Sequence, residues 1–354
     1  MSIKLYKTSC FLAVYLLLGI MLCSTLYAAP NIDSLIENLL SGDYSVSFEA
    51  EEVVALLSDS ETRISRYKIG RLLPDKMRKE KYRIDGTLEE IMVHDRDMQI
   101  ISYPEKKIVT RRPRSDKALS NVQDKSILAL LKKNYNIELT GDSVVAGRSS
   151  FALNITPKDK GSRPSLKVWM DHKTGMPLRT ETYGPDGFLS FFSYISKITV
   201  NPAFSRDYFV ILVPNGTAAY EEQPETDAAA VQLPEISKSK ILPSLSGGYV
   251  LKEKRVDEKG NFQLVYHDGL NSLSVFSEDW DDNREDHFEM LARKGDKMVE
   301  RVKKKSFEGY FCSRGSENIL SFISDKHRYT VVGDVSREGL INISLDLQGR
   351  KVKR

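Results

Sequence analysis

The stretch Leu166-Lys-Val-Trp-Met-Asp-His-Lys-Thr-Gly-Met-Pro-Leu-Arg179 carries the reading of the fold. Leu166 to Asp171 alternates as a strand does, His172-Lys-Thr-Gly175 is turn chemistry, and Met176 to Tyr183 resumes as a strand. This hairpin sits in a series. Before it, Val144 to Gly147 and Ser150 to Pro157 form a pair, and after it the turn Gly184-Pro-Asp-Gly187 leads into Phe188 to Val200. Nearer the N-terminus, Tyr44, Val46, Phe48 and Ala50 alternate with Ser45, Ser47 and Glu49, so one side meets a core and the other water. Strand-like runs follow at Ile64 to Leu72, Lys81 to Ile84, Glu90 to His94, Met98 to Tyr103 and Lys107 to Arg111, parted by turn residues such as Pro74-Asp75 and Asp85-Gly86. Their spacing is that of an antiparallel meander.

Only two helices are expected among these strands. Ile32, Leu35, Ile36, Leu39 and Leu40 share one helical face with Gly42 as a stop, and Ser126 to Tyr135 reads as a helix capped by Ser126, with Lys132 and Lys133 in its last turn. Residues 30–215 thus read as one sheet-rich domain. Residues 216–236, rich in Ala, Glu, Pro and Thr without a strand or helix period, read as a linker. A smaller domain over 237–354 follows, with strands expected at Tyr249 to Arg255, Phe262 to His267, Ser272 to Phe276, Asn318 to Ser324, Tyr329 to Val335 and Leu340 to Leu347, and a charged, partly helical segment at Asp286 to Lys305. The fold class is α+β, mostly antiparallel β.

Residues 1–28 have the layout of a secretory signal peptide: Lys4 and Lys7, an apolar run from Cys10 to about Cys23, and small residues ending at Ala28-Ala29. Leu26 and Pro30 make the cleavage site imperfect, so an uncleaved inner-membrane anchor stands as the alternative. Removing the segment takes two lysines and no acid from the 52 Lys+Arg and 49 Asp+Glu of the chain, which lowers the formal charge from +3 to +1. A near-neutral protein is a poor match for nucleic acid. Cys312 becomes the sole cysteine, which excludes an intramolecular disulfide.

The run Val144-Val-Ala-Gly-Arg148 followed by the 166–179 hairpin, with its Asp turning through a Gly into Leu-Arg, resembles a signature of periplasmic lipoprotein-binding half-barrels. These include the outer-membrane lipoprotein carrier LolA and the sigma-E regulator family RseB/MucB. Beyond Val200, Leu242-Pro-Ser-Leu-Ser-Gly-Gly-Tyr249, Gln263-Leu-Val-Tyr-His-Asp-Gly-Leu270, Ser274-Val-Phe276 and Tyr329-Thr-Val-Val-Gly-Asp-Val335 resemble the C-terminal domain of RseB/MucB in the same order. The resemblance implies a LolA-like open half-barrel with few helices, joined to a smaller β-rich domain. It implies a non-enzymatic periplasmic regulator that binds the periplasmic segment of a membrane anti-sigma factor and shields it from proteolysis. It also implies a half-barrel that senses mislocalised lipoprotein or lipopolysaccharide. A lipoprotein carrier without a signalling partner, and a scaffold whose half-barrel is plugged by its own helices, are the rival readings. The sequence leaves the oligomeric state open.

An apolar sheet face with few helices to cover it is a natural place for acyl chains. Candidates for that face are Val46, Phe48, Tyr67, Ile69, Ile91, Val93, Leu166, Val168, Met170, Phe188 and Phe191, each of which could equally be ordinary core; alternation does not say which parity faces inward. From Arg63 to Lys133 there are 19 Lys/Arg against 10 Asp/Glu. Arg78, Lys79, Lys81, Arg111, Arg112 and Arg114 are therefore candidates for a basic rim that attracts anionic headgroups, against a plain solvated face.

Catalytic and metal chemistry find no footing. His94, His172, His267, His287 and His327 lack metal-ligand spacing, and Asp281-Asp-Asn-Arg-Glu-Asp286 lacks the pattern of a calcium loop, so no metal or cofactor is expected. Nucleophile and phosphate-loop motifs are absent. His267-Asp268 is expected to form no dyad, Asp268-Gly269 to turn a hairpin, and Cys312 to be an inert core thiol.

Overall fold

The computed structural model describes residues 31–349, apart from 43, 59–60, 114–124, 160, 214, 222–243, 258, 282–285, 296–297, 305–306 and 315–316. The expected signal segment 1–28, Arg114 and most of the expected linker lie outside the described residues.

The first sheet has twelve strands: β1 (Phe48–Leu57), β2 (Thr62–Leu72), β3 (Lys76–Tyr82), β4 (Leu88–Asp95), β5 (Met98–Tyr103), β6 (Ile108–Pro113), β7 (Tyr135–Val145), β8 (Arg148–Pro157), β9 (Ser165–Asp171), β10 (Pro177–Tyr183), β11 (Leu189–Val200) and β12 (Ala218–Glu221). Their order, β12-β6-β5-β4-β3-β2-β1-β11-β10-β9-β8-β7, is two meanders joined by the antiparallel pairing of β1 with β11. Among the described residues the sheet does not close, with β12 and β7 as its two edges.

Two helices belong to this sheet. Helix α1 (Ile32–Ser41) is capped by Asn31, whose side chain accepts from the Asp33 N–H, and it buries Leu35 and Ile36. Helix α2 (Lys125–Asn134) precedes β7 directly. Ser126, expected as its cap, lies inside the helix, and its hydroxyl accepts from Lys252 Nζ at 2.9 Å.

The second sheet has eight strands in the order β13-β14-β15-β16-β20-β19-β18-β17: β13 (Ser244–Leu245), β14 (Tyr249–Val256), β15 (Phe262–His267), β16 (Ser272–Asp279), β17 (Val299–Lys304), β18 (Phe307–Arg314), β19 (Glu317–Ser324) and β20 (His327–Gly333). Its core includes Tyr249, Leu264, Tyr266, Leu273, Leu320 and Val331. Helix α3 (His287–Arg293) and helix α4 (Arg337–Leu347) complete it.

Several expected boundaries change. Tyr44 and Val46 precede β1 and pack on its cluster from outside the sheet. The run expected at Lys81 to Ile84 is the end of a strand that begins at Lys76. Ala218–Glu221, expected as linker, pairs in parallel with β6, Ala218 opposite Ile108. The segment Leu340 to Leu347, expected as a strand, is helix α4: the Ser336 hydroxyl accepts from the Gly339 N–H, and Leu340, Ile341, Ile343 and Ser344 form a buried helical face. The charged segment from Asp286 resolves into α3 and β17, and β18, which holds Cys312, was not expected.

Candidate functional site

Directly opposed residues in a sheet share a face, so the strand register maps each side of the large sheet. On one side Phe151 and Met170, Leu153 and Val168, and Ile155 and Leu166 are opposed pairs of β8 and β9. Leu35 packs on the first two pairs, while Ile36 and Leu131 pack on the third. This is the helix-covered face. It continues from Leu166 through Thr182 and Phe191 to Leu56, and from Val168 through Thr180 and Ser193 to Val54. Glu52 then lies opposite Tyr67, and Tyr67 opposite Lys81. Here the cover thins: Leu56 is 48% exposed, and Val54, Tyr67 and Phe191 are half-buried.

A polar group sits within this half-open region. Lys79 places its ammonium 4.1 Å from the centre of the Tyr67 ring. Burial raises the Glu52 carboxyl above the usual range, while Lys79 and a hydrogen bond with Ser193 pull the other way. This carboxyl is a polar anchor beside the half-exposed apolar surface of Val54, Leu56 and Phe191.

The structure separates the sequence candidates. Phe48, Tyr67, Ile69, Leu166, Val168, Met170 and Phe191 share the helix-covered face, and Val46 packs at its margin. Leu166, Val168 and Met170 are buried beneath α1 and α2, where side chains of this chain already fill the space. Ile91 and Val93 oppose Glu80 and Arg78 and so belong to the other face. Phe188 lies in the turn before β11, 74% exposed.

The basic candidates are divided in the same way. Lys79 and Lys81 are on the helix-covered face, and Lys81 pairs with Glu89 at 3.1 Å. Arg78 is on the other face, where it bonds Glu80 and donates to the carbonyls of Tyr208 and Val210. It pins the segment after β11, whose Tyr208 ring rests on Gly70 and donates to Glu49. Arg111 and Arg112 are exposed neighbours on opposite faces of β6, with Arg112 donating to Gln99. Among the described residues, these cations are divided between the two faces of the sheet.

The 166–179 stretch owes its shape to a contact that spacing did not reveal. Asp171, at the end of β9, accepts two hydrogen bonds of 2.8 Å from Arg148 and two more from the Thr174 backbone and hydroxyl. Burial works to raise this carboxyl, but Arg148 and Thr174 outweigh it and hold the group below its ordinary value.

A second unforeseen cluster joins the two sheets. Asp268, in the β15–β16 turn, is fully buried and accepts from the Tyr135 hydroxyl at 2.6 Å and from Arg163 at 3.3 Å. Arg163 also pairs with Asp159 and lies 4.9 Å from the Tyr135 ring centre. The Asn134 side chain donates to the carbonyls of Asp268 and Gly248, and Asn271 donates to the Tyr135 hydroxyl. Burial first, and then the Asp268 charge, push the Tyr135 hydroxyl far above the ordinary tyrosine range. Read alone, Asp268 is a turn residue; its main partner lies 133 positions earlier.

Residues 51–209 match the family model described as the MucB/RseB N-terminal domain. The chain carries a MucB/RseB N-terminal domain. Residues 242–345 match a second model, described as a domain of unknown function (DUF4367). The MucB/RseB fold extends over both sheets: the chain is similar to MucB in its crystal structure with MucA(peri), with 20% identity, a TM-score of 0.55, and 89% of this chain and 97% of that one covered. It is likewise similar to a chain of the Pseudomonas aeruginosa MucA/MucB complex, with 18% identity, a TM-score of 0.54, and 88% and 96% covered. No curated protein matches the sequence.

Proposed function

We propose that this chain is a non-enzymatic periplasmic regulator that binds the periplasmic part of an anti-sigma factor and protects it from proteolysis. Residues 30–215 act as a sensor for acyl chains of mislocalised lipoprotein or lipopolysaccharide, and residues 237–354 supply most of the anti-sigma contact. The observation that carries the reading is a MucB/RseB N-terminal domain in a chain whose two-sheet fold follows MucB over nearly its full length. The half-exposed continuation of the helix-covered face supports the sensor role, because each buried methylene of a guest contributes about 0.8 kcal/mol.

The test is affinity capture of residues 29–354 from solubilised inner membranes of the native host, with mass spectrometry of bound proteins and lipids. A single-span protein with a cytoplasmic sigma-binding segment is the expected partner, and adding the captured chain should slow proteolysis of its periplasmic part. Diverse lipoproteins without such a partner would replace this reading with that of a carrier, for which the half-exposed apolar face is equally suited.

A further inference from the structure

Among the described residues, no group of three His, Cys, Asp or Glu side chains could hold a metal ion. A softer set of donors meets on strands β3, β4 and β5. Met92 and His94 are two residues apart on β4 and so point to one face, with Met92 opposite Lys79. Met77 on β3 lies directly opposite His94, and Gln99 on β5 faces His94 from the other side. The Gln99 side chain joins them. Its oxygen accepts from Arg112 Nε at 2.6 Å, which turns the amide nitrogen toward β4, 3.0 Å from Met92 Sδ and 3.0 Å from His94 Nε2. An amide nitrogen donates and has no lone pair to offer, so the lone pairs of His94 Nε2 and of the Met92 sulfur both face this one point. His94 is buried while Met77, Met92 and Gln99 are half-buried, which puts the point at the edge of water.

We propose that Met77, Met92 and His94 are the ligands of a Cu(I) site, with the Gln99 amide nitrogen standing where the ion binds. Thioether sulfur with imidazole suits Cu(I), whereas a set without carboxylate or carbonyl oxygen offers little to magnesium or calcium. Spacing among the histidines alone passes this set over, because two of its three donors are sulfur. Bonds from a first-row metal to imidazole nitrogen and to sulfur run about 2.0–2.3 Å, so an ion at the amide position draws each donor in by about 0.7–1 Å. Methionine makes that adjustment readily, having three rotatable bonds and a polarisable sulfur. Gln99 must swing away first. One of the two bonds it gives up is to sulfur, a weak acceptor, and its Arg112 anchor is exposed, so amide and guanidinium can leave together. Their departure also takes a positive charge from beside the incoming cation. The site does not depend on the anti-sigma or the acyl reading.

The experiment titrates Cu(I), held without oxygen by the chromophoric chelator bicinchoninate, against the mature chain, residues 29–354. Transfer of one ion per chain is expected. Met77→Leu and Met92→Leu keep the side-chain size and should each weaken binding at least about tenfold, whereas Gln99→Ala clears the metal position and should tighten it severalfold. Cys312→Ala should change nothing, because that thiol is fully buried in the second sheet. X-ray absorption at the copper edge of the unmutated chain should show two sulfurs and an imidazole nitrogen, and this spectrum decides alone should the variants fail to fold. No transfer of copper, affinity unchanged by Met92→Leu, loss of binding with Cys312→Ala, or a spectrum with fewer than two sulfurs overturns the site, and each leaves the regulator reading standing.

Discussion

Tyr135 and Asp268 share a hydrogen bond of 2.6 Å that joins the first residue of an edge strand in one sheet to a turn in the other. Both residues are buried, so the bond forms away from water and its loss leaves a carboxylate under-satisfied. Tyr135→Phe should lower stability by about 1–3 kcal/mol in urea denaturation. Asp268→Ala should cost more, about 3 kcal/mol or above, because the buried Arg163 then keeps Asp159 as its one carboxylate partner among the described residues. Equal costs for the two variants would contradict a shared ionic node.

Acid should strengthen the molecule through Asp334. Burial, then the charges of Asp186 and Glu317, raise its carboxyl to about 6. The folded protein therefore takes up this proton at higher pH than the unfolded chain. The contribution to stability is complete below the unfolded value near 4 and is lost as pH rises through about 6. After allowance for solvent screening at a partly exposed group, unmutated protein should gain about 1 kcal/mol more than Asp334→Asn on going from pH 7 to pH 5. Parallel pH profiles of Tm for the two proteins would remove Asp334 from this role.

Gly70→Ala places a methyl group against the Tyr208 ring on the face opposite the helices. The backbone of β2 cannot retreat without breaking its ladder, so the segment after β11 must shift, at a cost of about 1–3 kcal/mol. Limited proteolysis should show earlier cleavage near 204–213; an unaltered digestion pattern would mean that Arg78 alone secures the segment.

Arg328 is buried with Asp286 and, at 3.6 Å, Glu278 as its ion-pair partners, and with the rings of Trp280 and Phe288 against its guanidinium. Arg328→Met should lose about 3 kcal/mol by stranding Asp286. Asp286 also caps α3 by accepting from the Phe288 and Glu289 N–H groups. The double variant Arg328→Met with Asp286→Leu should therefore recover part of the loss but stay about 1 kcal/mol short for the missing cap. Thermal denaturation of the single and double variants gives the comparison.

Much of the fold was legible because local chemistry and tertiary position agreed. Phe262–His267 is a strand whose alternate residues are buried, as its alternation requires. Helix α4 misled because Ile341, Ile343, Leu345 and Leu347 fit a period of two, while its helical signal rested on Ser336 and the Gly339 N–H it captures. The charged β17 and its partner β18 lacked an alternation strong enough to read. Parity separated Ile91 and Val93 from Tyr67 and Ile69, and only the pairing of β3 with β4 could show it. Asp171 with Arg148 and Asp268 with Tyr135 were hidden for one reason: each is a charge whose partner is distant along the chain.

Gly269, next to the buried Asp268 in the β15–β16 turn, lies against the backbone of Leu131, and the contact gives position 269 a diagnostic use in comparing chains of this architecture. A side chain there meets both an unfavourable φ and the backbone of α2, so evolution can vary the residue only by abandoning this joint. Glycine at the equivalent place in a related chain is compatible with the same docking; any bulkier residue marks a molecule whose two halves are assembled differently.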